Sequence, residues 1–168
     1  MIEELLVIDD FLEPNFFAEL QDLLLGGNFP WFYCDNVVNP NQDHFQFCHH
    51  FYYEDGYGTR SDLFNFLLPT LQKIDPYAIV RIKANLLTKT QNNIEHGFHT
   101  DVPYDKQNFV KTAILYINSN NGYTKFRDGS KIESVENRLL IFPSRLEHTG
   151  STCTDEKTRV VINFNYYP

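Results

Sequence analysis

The chain has 168 residues, 42% of them hydrophobic and 21% charged, with a formal net charge of −8 from 14 Lys+Arg against 22 Asp+Glu. That length suits one domain, residues 1–168, since domains most often run to roughly 100–150 residues. The 15 Phe and 10 Tyr exclude a disordered tail, and an acidic chain without a Lys/Arg run is a poor nucleic-acid binder, so no nucleic-acid partner is expected.

Glu3 and Glu4 stand where a signal peptide would carry positive charge. No apolar run approaches the ~20 residues that span a bilayer, so no membrane partner is expected. Residues 3–8 read as a first strand, bounded by Asp9-Asp10. Pro14 then opens a helix, with Phe16, Phe17, Leu20, Leu23 and Leu24 at helical spacing and Gly26-Gly27 ending it. Segments 31–34 and 44–53 are aromatic-rich candidate strands, read as additions to a core sheet rather than as a substrate groove. Ser61 caps a second helix carrying Leu63, Phe64, Leu67, Leu68 and Leu71 on one side, which Pro69 should kink or split.

The rest reads as strands: 77–88, 94–101, 109–117, 122–127, 130–135, 138–142 and 157–167. Asn120-Asn121-Gly122 and Asp128-Gly129-Ser130 are turn signals between them. Close-spaced strands after two helices predict a mainly β (α+β) barrel or sandwich with helices outside. The three cysteines, Cys34, Cys48 and Cys153, are an odd count with no CxxC pair. A disulfide framework and a thiolate zinc ribbon are both disfavoured, and a reducing, cytoplasmic setting is expected. Nothing in the sequence specifies an oligomeric state.

Among six histidines, His99 and Asp101 form an His-x-Asp pair. Residues two apart on a strand share a face, so one imidazole and one carboxylate can grip one ion. Chance alone supplies roughly 0.4 such pairs in this composition, so the pair gains weight only from its company. Downstream, the apolar run Leu139–Phe142 ends in Pro143, and His148 follows. Two His and one carboxylate form the facial triad that suits non-haem Fe(II) oxygenases. Arg159 then opens a strand whose Val161, Asn163 and Asn165 share its face while Val160, Ile162, Phe164 and Tyr166 take the other. That polar face fits a barrel interior, where Arg holds a carboxylate by a bidentate pair. The same alternation places His96 with Phe98, away from the metal. Adjacent His49 and His50 face opposite ways and cannot chelate one ion.

The ordered set His99-Thr100-Asp101-Val102-Pro103-Tyr104, Leu115-Tyr116-Ile117-Asn118, Gly122-x-Thr124-x-Phe126, Phe142-Pro143 with His148, and Arg159 resembles the Fe(II)/2-oxoglutarate-dependent dioxygenases, in particular the prolyl-4-hydroxylase-like branch. Val7–Leu12 and the helix after it resemble the start of that branch, so the likeness runs from about residue 5 to 167. It implies a double-stranded β-helix, a jelly-roll or cupin-like barrel, with the N-terminal helices packed outside. It implies Fe(II) on His99, Asp101 and His148, and 2-oxoglutarate on Arg159 with help from the Tyr116 hydroxyl. Dioxygen would be the second cosubstrate and ascorbate a stimulant. The activity implied is hydroxylation of an unactivated C–H bond, on a peptidyl proline or another amino-acid-like peptide or small molecule. Relatives often carry a cosubstrate-binding Tyr on the strand before His-x-Asp; here that strand reads Arg81–Leu87 without one, and Asn85 could serve instead. Pro103–Asn108 is the candidate lid. Two rivals share the ligand set: a zinc hydrolase, which needs no dicarboxylate pocket, and a non-catalytic barrel.

Overall fold

A computed structural model describes residues 5–38 and 44–168. Strand β1 (Leu6–Ile8) is followed by helix α1 (Pro14–Leu25), which starts at the proline because a first-turn position has no intrahelical N–H bond to lose. Phe17, Leu20 and Leu24 form its buried stripe. The chain leaves at Gly26, where an added Cβ would stand 2.7 Å from the Asp22 carbonyl oxygen. Strands β2 (Phe32–Cys34), β3 (Gln46–Tyr53) and β4 (Gly58–Thr59) come next. The second helical segment splits as the sequence suggests. A 3₁₀ turn, Asp62–Leu67, is capped by the Ser61 hydroxyl accepting from Leu63 N at 3.1 Å, and α2 (Leu68–Ile74) begins afresh around Pro69.

The remaining strands are β5 (Ala78–Thr88), β6 (Lys111–Tyr116), β7 (Asn120–Phe126), β8 (Lys131–Ser134), β9 (Leu139–Pro143), β10 (His148–Gly150) and β11 (Thr158–Tyr167). The main antiparallel sheet runs β1-β9-β6-β11-β5-β3-β2, with β4 on β3, and a smaller sheet runs β10-β7-β8. Alternation on β11 divides the molecule. Val160, Ile162 and Phe164 pack outward with Leu20, Leu24 and Leu67 of the helical layer. Val161 faces inward, clustering with Ile114, Tyr116, Phe126, Leu140 and Phe142 between the sheets. The aromatic segments join the main sheet as β2 and β3.

Four expectations need correction. Segment 94–101 is not a continuous strand: it makes isolated bridges at Glu95↔Ser151 and His99↔His148, broken by Gly97 at φ +100°. Asn120-Asn121-Gly122 is not a turn but the irregular start of β7, where the Asn120 side chain accepts from Gly122 N at 2.9 Å and the register shifts. The short strands β4 and β10 were not anticipated; β10 is too brief to show a period. Cys34 and Cys48 form a disulfide, because β2–β3 pairing sets Phe32 opposite Cys48 and leaves Cys34 diagonal to it, while Cys153 stays free and buried. Residues 3 and 4 of the expected first strand lie outside the described residues.

Candidate metal centre

The smaller sheet carries one ligand, and the segment between β5 and β6 carries two. His148 opens β10, and its backbone exchanges two hydrogen bonds of 3.0 Å with His99, which brings the two rings to 4.7 Å between centroids. Asp101 follows two residues later. Ligand atoms of His99, Asp101 and His148 all lie within 4.8 Å of one another. His99 Nε2 is 3.7 Å from Asp101 Oδ1, and His148 Nε2 is 3.9 Å from Oδ2.

The donor chemistry fits a divalent metal. Each histidine turns Nδ1 to a backbone carbonyl, His99 to Gly97 O at 3.2 Å and His148 to Leu146 O at 3.4 Å. A bond there fixes the tautomer and leaves Nε2 as the lone-pair donor. Burial lowers His148 to about 4 against the pull of Asp101, so the ring is neutral at pH 7, as a ligand must be. Burial alone would raise Asp101. Burial is the largest single influence, but Arg81, then the two imidazoles, and the Asn165 bond together outweigh it and hold the carboxyl well below the usual range. Arg81 Nη2 sits 3.0 Å from Asp101 Oδ1, and Asn165 Nδ2 donates to Oδ2 at 3.3 Å. The carboxylate is therefore ionised and aimed.

The triad opens onto a cavity of about 160 Å³, lined from the main sheet by Arg81, Lys83, Asn85, Arg159, Val161 and Asn163. Arg159 is 4% exposed. Its Nε donates to Ser134 Oγ at 2.8 Å and its Nη2 to Thr124 Oγ1 at 3.2 Å. Among the described residues no carboxylate pairs with it, and burial lowers its pKa. A buried guanidinium whose described hydrogen bonds go to hydroxyls has the chemistry to hold an anion. Two glycines make room for it: a Cβ on Gly122 would stand 2.6 Å from Arg159 Cδ, and one on Gly150 would stand 3.4 Å from Nη1.

Other expected residues take different places. Tyr116 is fully buried behind the cavity wall, and its hydroxyl donates to Thr124 Oγ1 at 2.8 Å. Thr124 does line the cavity; accepting from both Tyr116 and Arg159, it keeps its own O–H for a ligand. Asn85 lines the cavity. His96 does too, contrary to expectation, because Gly97 breaks the alternation that would have turned it away. His49 is remote from the triad, bonded to Pro30 O at 2.9 Å and Ser61 Oγ at 2.7 Å. Pro103–Asn108 forms turns, held by Lys106 on Glu54 and Gln107 on Thr100, and none of its residues lines the cavity.

Sequence reasoning missed Arg81 and Lys83. Their only signal is that both share the inward face of β5 with Asn85. Burial, then Arg81, push Lys83 down to about 8, against Asp101.

No family model matches the chain, and no curated protein matches it. Solved structures do. A prolyl hydroxylase from Trichoplax adhaerens, in complex with a hypoxia inducible factor peptide fragment, is 15% identical over 99% of this chain and 84% of that one, with a TM-score of 0.67. The viral collagen prolyl hydroxylase of Paramecium Bursaria Chlorella virus-1, a 2-oxoglutarate complex, is 14% identical over 99% and 97%, with a TM-score of 0.61. HygX from Streptomyces hygroscopicus, with nickel and 2-oxoglutarate bound, is 12% identical over 98% and 83%, with a TM-score of 0.63. The likeness is one of fold, the double-stranded β-helix.

Proposed function

We propose that the chain, as one domain over residues 1–168, is an Fe(II)- and 2-oxoglutarate-dependent dioxygenase that hydroxylates an unactivated C–H bond. The observation that carries the reading is that His99, Asp101 and His148 open onto the same cavity as a buried Arg159 with no carboxylate partner among the described residues. Iron, when bound, would supply dioxygen activation coupled to conversion of 2-oxoglutarate into succinate and carbon dioxide. The chain's own residues do the rest. His99, Asp101 and His148 would hold the metal with three donors, and cosubstrate and dioxygen would complete its coordination. Arg81 and Asn165 hold Asp101 ionised. Arg159 neutralises the distal carboxylate of 2-oxoglutarate, and the apolar cluster around Tyr116 and Phe142 closes the base of the cavity against water.

The substrate we propose is a peptidyl proline or another amino-acid-like molecule. Its supports are the solved structures that share the fold, one of which holds a peptide fragment. A zinc hydrolase would use the triad and leave Arg159 without a task. The two readings part in one assay: incubation with 2-oxoglutarate, Fe(II) and ascorbate under air, against the same mixture with Zn(II). Succinate in the iron sample alone supports the oxygenase; no succinate in either removes it. No helix among the described residues is long and apolar enough to cross a membrane.

A further inference from the structure

His96 is 3% exposed and lines the cavity, yet among the described residues neither of its ring nitrogens has a hydrogen-bond partner. Buried polar atoms are nearly always satisfied, so two orphans on one ring call for a cause. The ring is not a fourth metal ligand, since it lies outside the His99, Asp101 and His148 group. Nor is it a packing residue by composition, because an apolar ring would fill the same space without the cost of two stranded nitrogens.

Its neighbours show what it faces. The backbone N of His96 donates to Gly150 O at 3.4 Å. Gly150 is the residue whose missing side chain leaves room beside Arg159 Nη1, 3.4 Å from where a Cβ would be. With Nε on Ser134 and Nη2 on Thr124, Nη1 is the guanidinium nitrogen for which the described residues supply no partner. On the other side, the His44 ring packs edge-on at 5.0 Å, and its Nδ1 is also buried without a partner among the described residues. Arg159 Nη1 thus adjoins the glycine that the His96 backbone bonds, and the His96 ring lines the same cavity as Arg159. Asn85 lines the cavity as well, but its amide atoms are not among the sealed, unpartnered ones.

We infer that His96 binds the cosubstrate: its ring N–H is a second donor to the carboxylate that Arg159 holds. This rests on the 2-oxoglutarate reading above. It assigns to His96 the place that the sequence reading offered to Asn85. A neutral imidazole has one N–H to give and keeps one lone pair.

The test is to titrate 2-oxoglutarate into the anaerobic Fe(II)-loaded protein, comparing wild type, His96→Phe, His96→Gln and Arg159→Met, with thermal melts of each metal-free chain. His96→Phe keeps ring shape and removes both nitrogens. It should leave the melting temperature equal or higher, leave Fe(II) affinity unchanged, and weaken 2-oxoglutarate about 10- to 100-fold, the worth of one hydrogen bond to a charged group. His96→Gln, which restores a donor, should recover part of that loss. If His96→Phe binds as wild type does while Arg159→Met does not, the inference falls and the cosubstrate reading stands. If His96→Phe melts well below wild type, the ring is structural and the inference falls. If wild type itself fails to bind 2-oxoglutarate, the cosubstrate reading falls and takes the inference with it.

Discussion

Replacing Arg159 by Met should separate stability from binding. The arginine is 4% exposed, and its described hydrogen bonds go to the hydroxyls of Ser134 and Thr124. Its Cζ also lies 5.6 Å from the Tyr116 ring centroid. Among the described residues, then, this desolvated positive charge lacks a counter-charge, which costs stability. Met keeps most of the aliphatic stem and removes the charge, at the loss of two hydrogen bonds worth about 1 kcal/mol each or somewhat more. The two effects oppose, and the melting temperature should stay level or rise. Binding responds differently. A dicarboxylate that enters without its cation leaves its own charge buried and unpaired, at a cost on the order of 3–5 kcal/mol. At ~1.4 kcal/mol per decade, 2-oxoglutarate should bind two to four orders of magnitude more weakly. Arg159→Lys should lose less, since the charge survives and the planar fork does not. Fe(II) affinity should be unaffected, because Arg159 is outside the ligand group. The assay is titration of the anaerobic Fe(II) protein by 2-oxoglutarate. Equal dissociation constants for wild type and a folded Arg159→Met would refute the reasoning.

Gly122→Ala should act on the same site by steric pressure, since its Cβ would fall 2.6 Å from Arg159 Cδ and 2.8 Å from Asn120 Oδ1. It should cost about 1–3 kcal/mol of stability and weaken 2-oxoglutarate, read by melts and titration; unchanged values would mean that Arg159 lies elsewhere. Lys83 has its pKa depressed from the ordinary 10.5 to about 8, so between these values the unfolded chain holds a proton the folded chain does not, and stability should rise with pH. Urea unfolding at pH 8 and pH 10 should show that rise in wild type and a smaller one in Lys83→Met; identical slopes would refute the burial of this amine. The Cys34–Cys48 disulfide closes a 14-residue separation, so Cys48→Ser should cost about 3 kcal/mol, a drop of roughly 6–12 °C in melting temperature. Thiol titration of the unfolded wild type should find the Cys153 thiol alone; three reactive thiols would mean that the bond is open, as the reducing setting expected from sequence would keep it.

The parts of this molecule that were legible in the sequence are those governed by local chemistry. Pro14 and the leucines of α1 specify that helix within a dozen residues, and the alternation from Arg159 to Tyr166 states which side of β11 meets the helices and which meets the cavity. His99 and Asp101 read as a pair because two residues on one short segment suffice. What stayed hidden depends on register between distant segments. Arg81 reaches Asp101 from β5, and the β5–β11 pairing sets Asn165, which bonds the same carboxylate, opposite it. No spacing within either strand announces that meeting. His96 was misplaced for a different reason: alternation is a rule for extended chain, and one glycine at φ +100° suspends it. Tyr116, expected as a cosubstrate contact, donates its hydroxyl to Thr124, a pairing between β6 and β7 that no spacing within either strand announces.

The central claim is that the triad and Arg159 together couple dioxygen to 2-oxoglutarate. It is tested most directly by running the Fe(II) protein with 2-oxoglutarate under ¹⁸O-labelled dioxygen and weighing the succinate. The reaction 2-oxoglutarate + O₂ + R–H → succinate + CO₂ + R–OH leaves one oxygen atom in succinate and the other in the product; in the absence of substrate, added ascorbate supplies the two electrons and two protons that turn the second atom into water. The account predicts succinate carrying one labelled atom, in amounts equal to the carbon dioxide released, and none from Asp101→Ala. Unlabelled succinate, or equal turnover by Asp101→Ala, would contradict it.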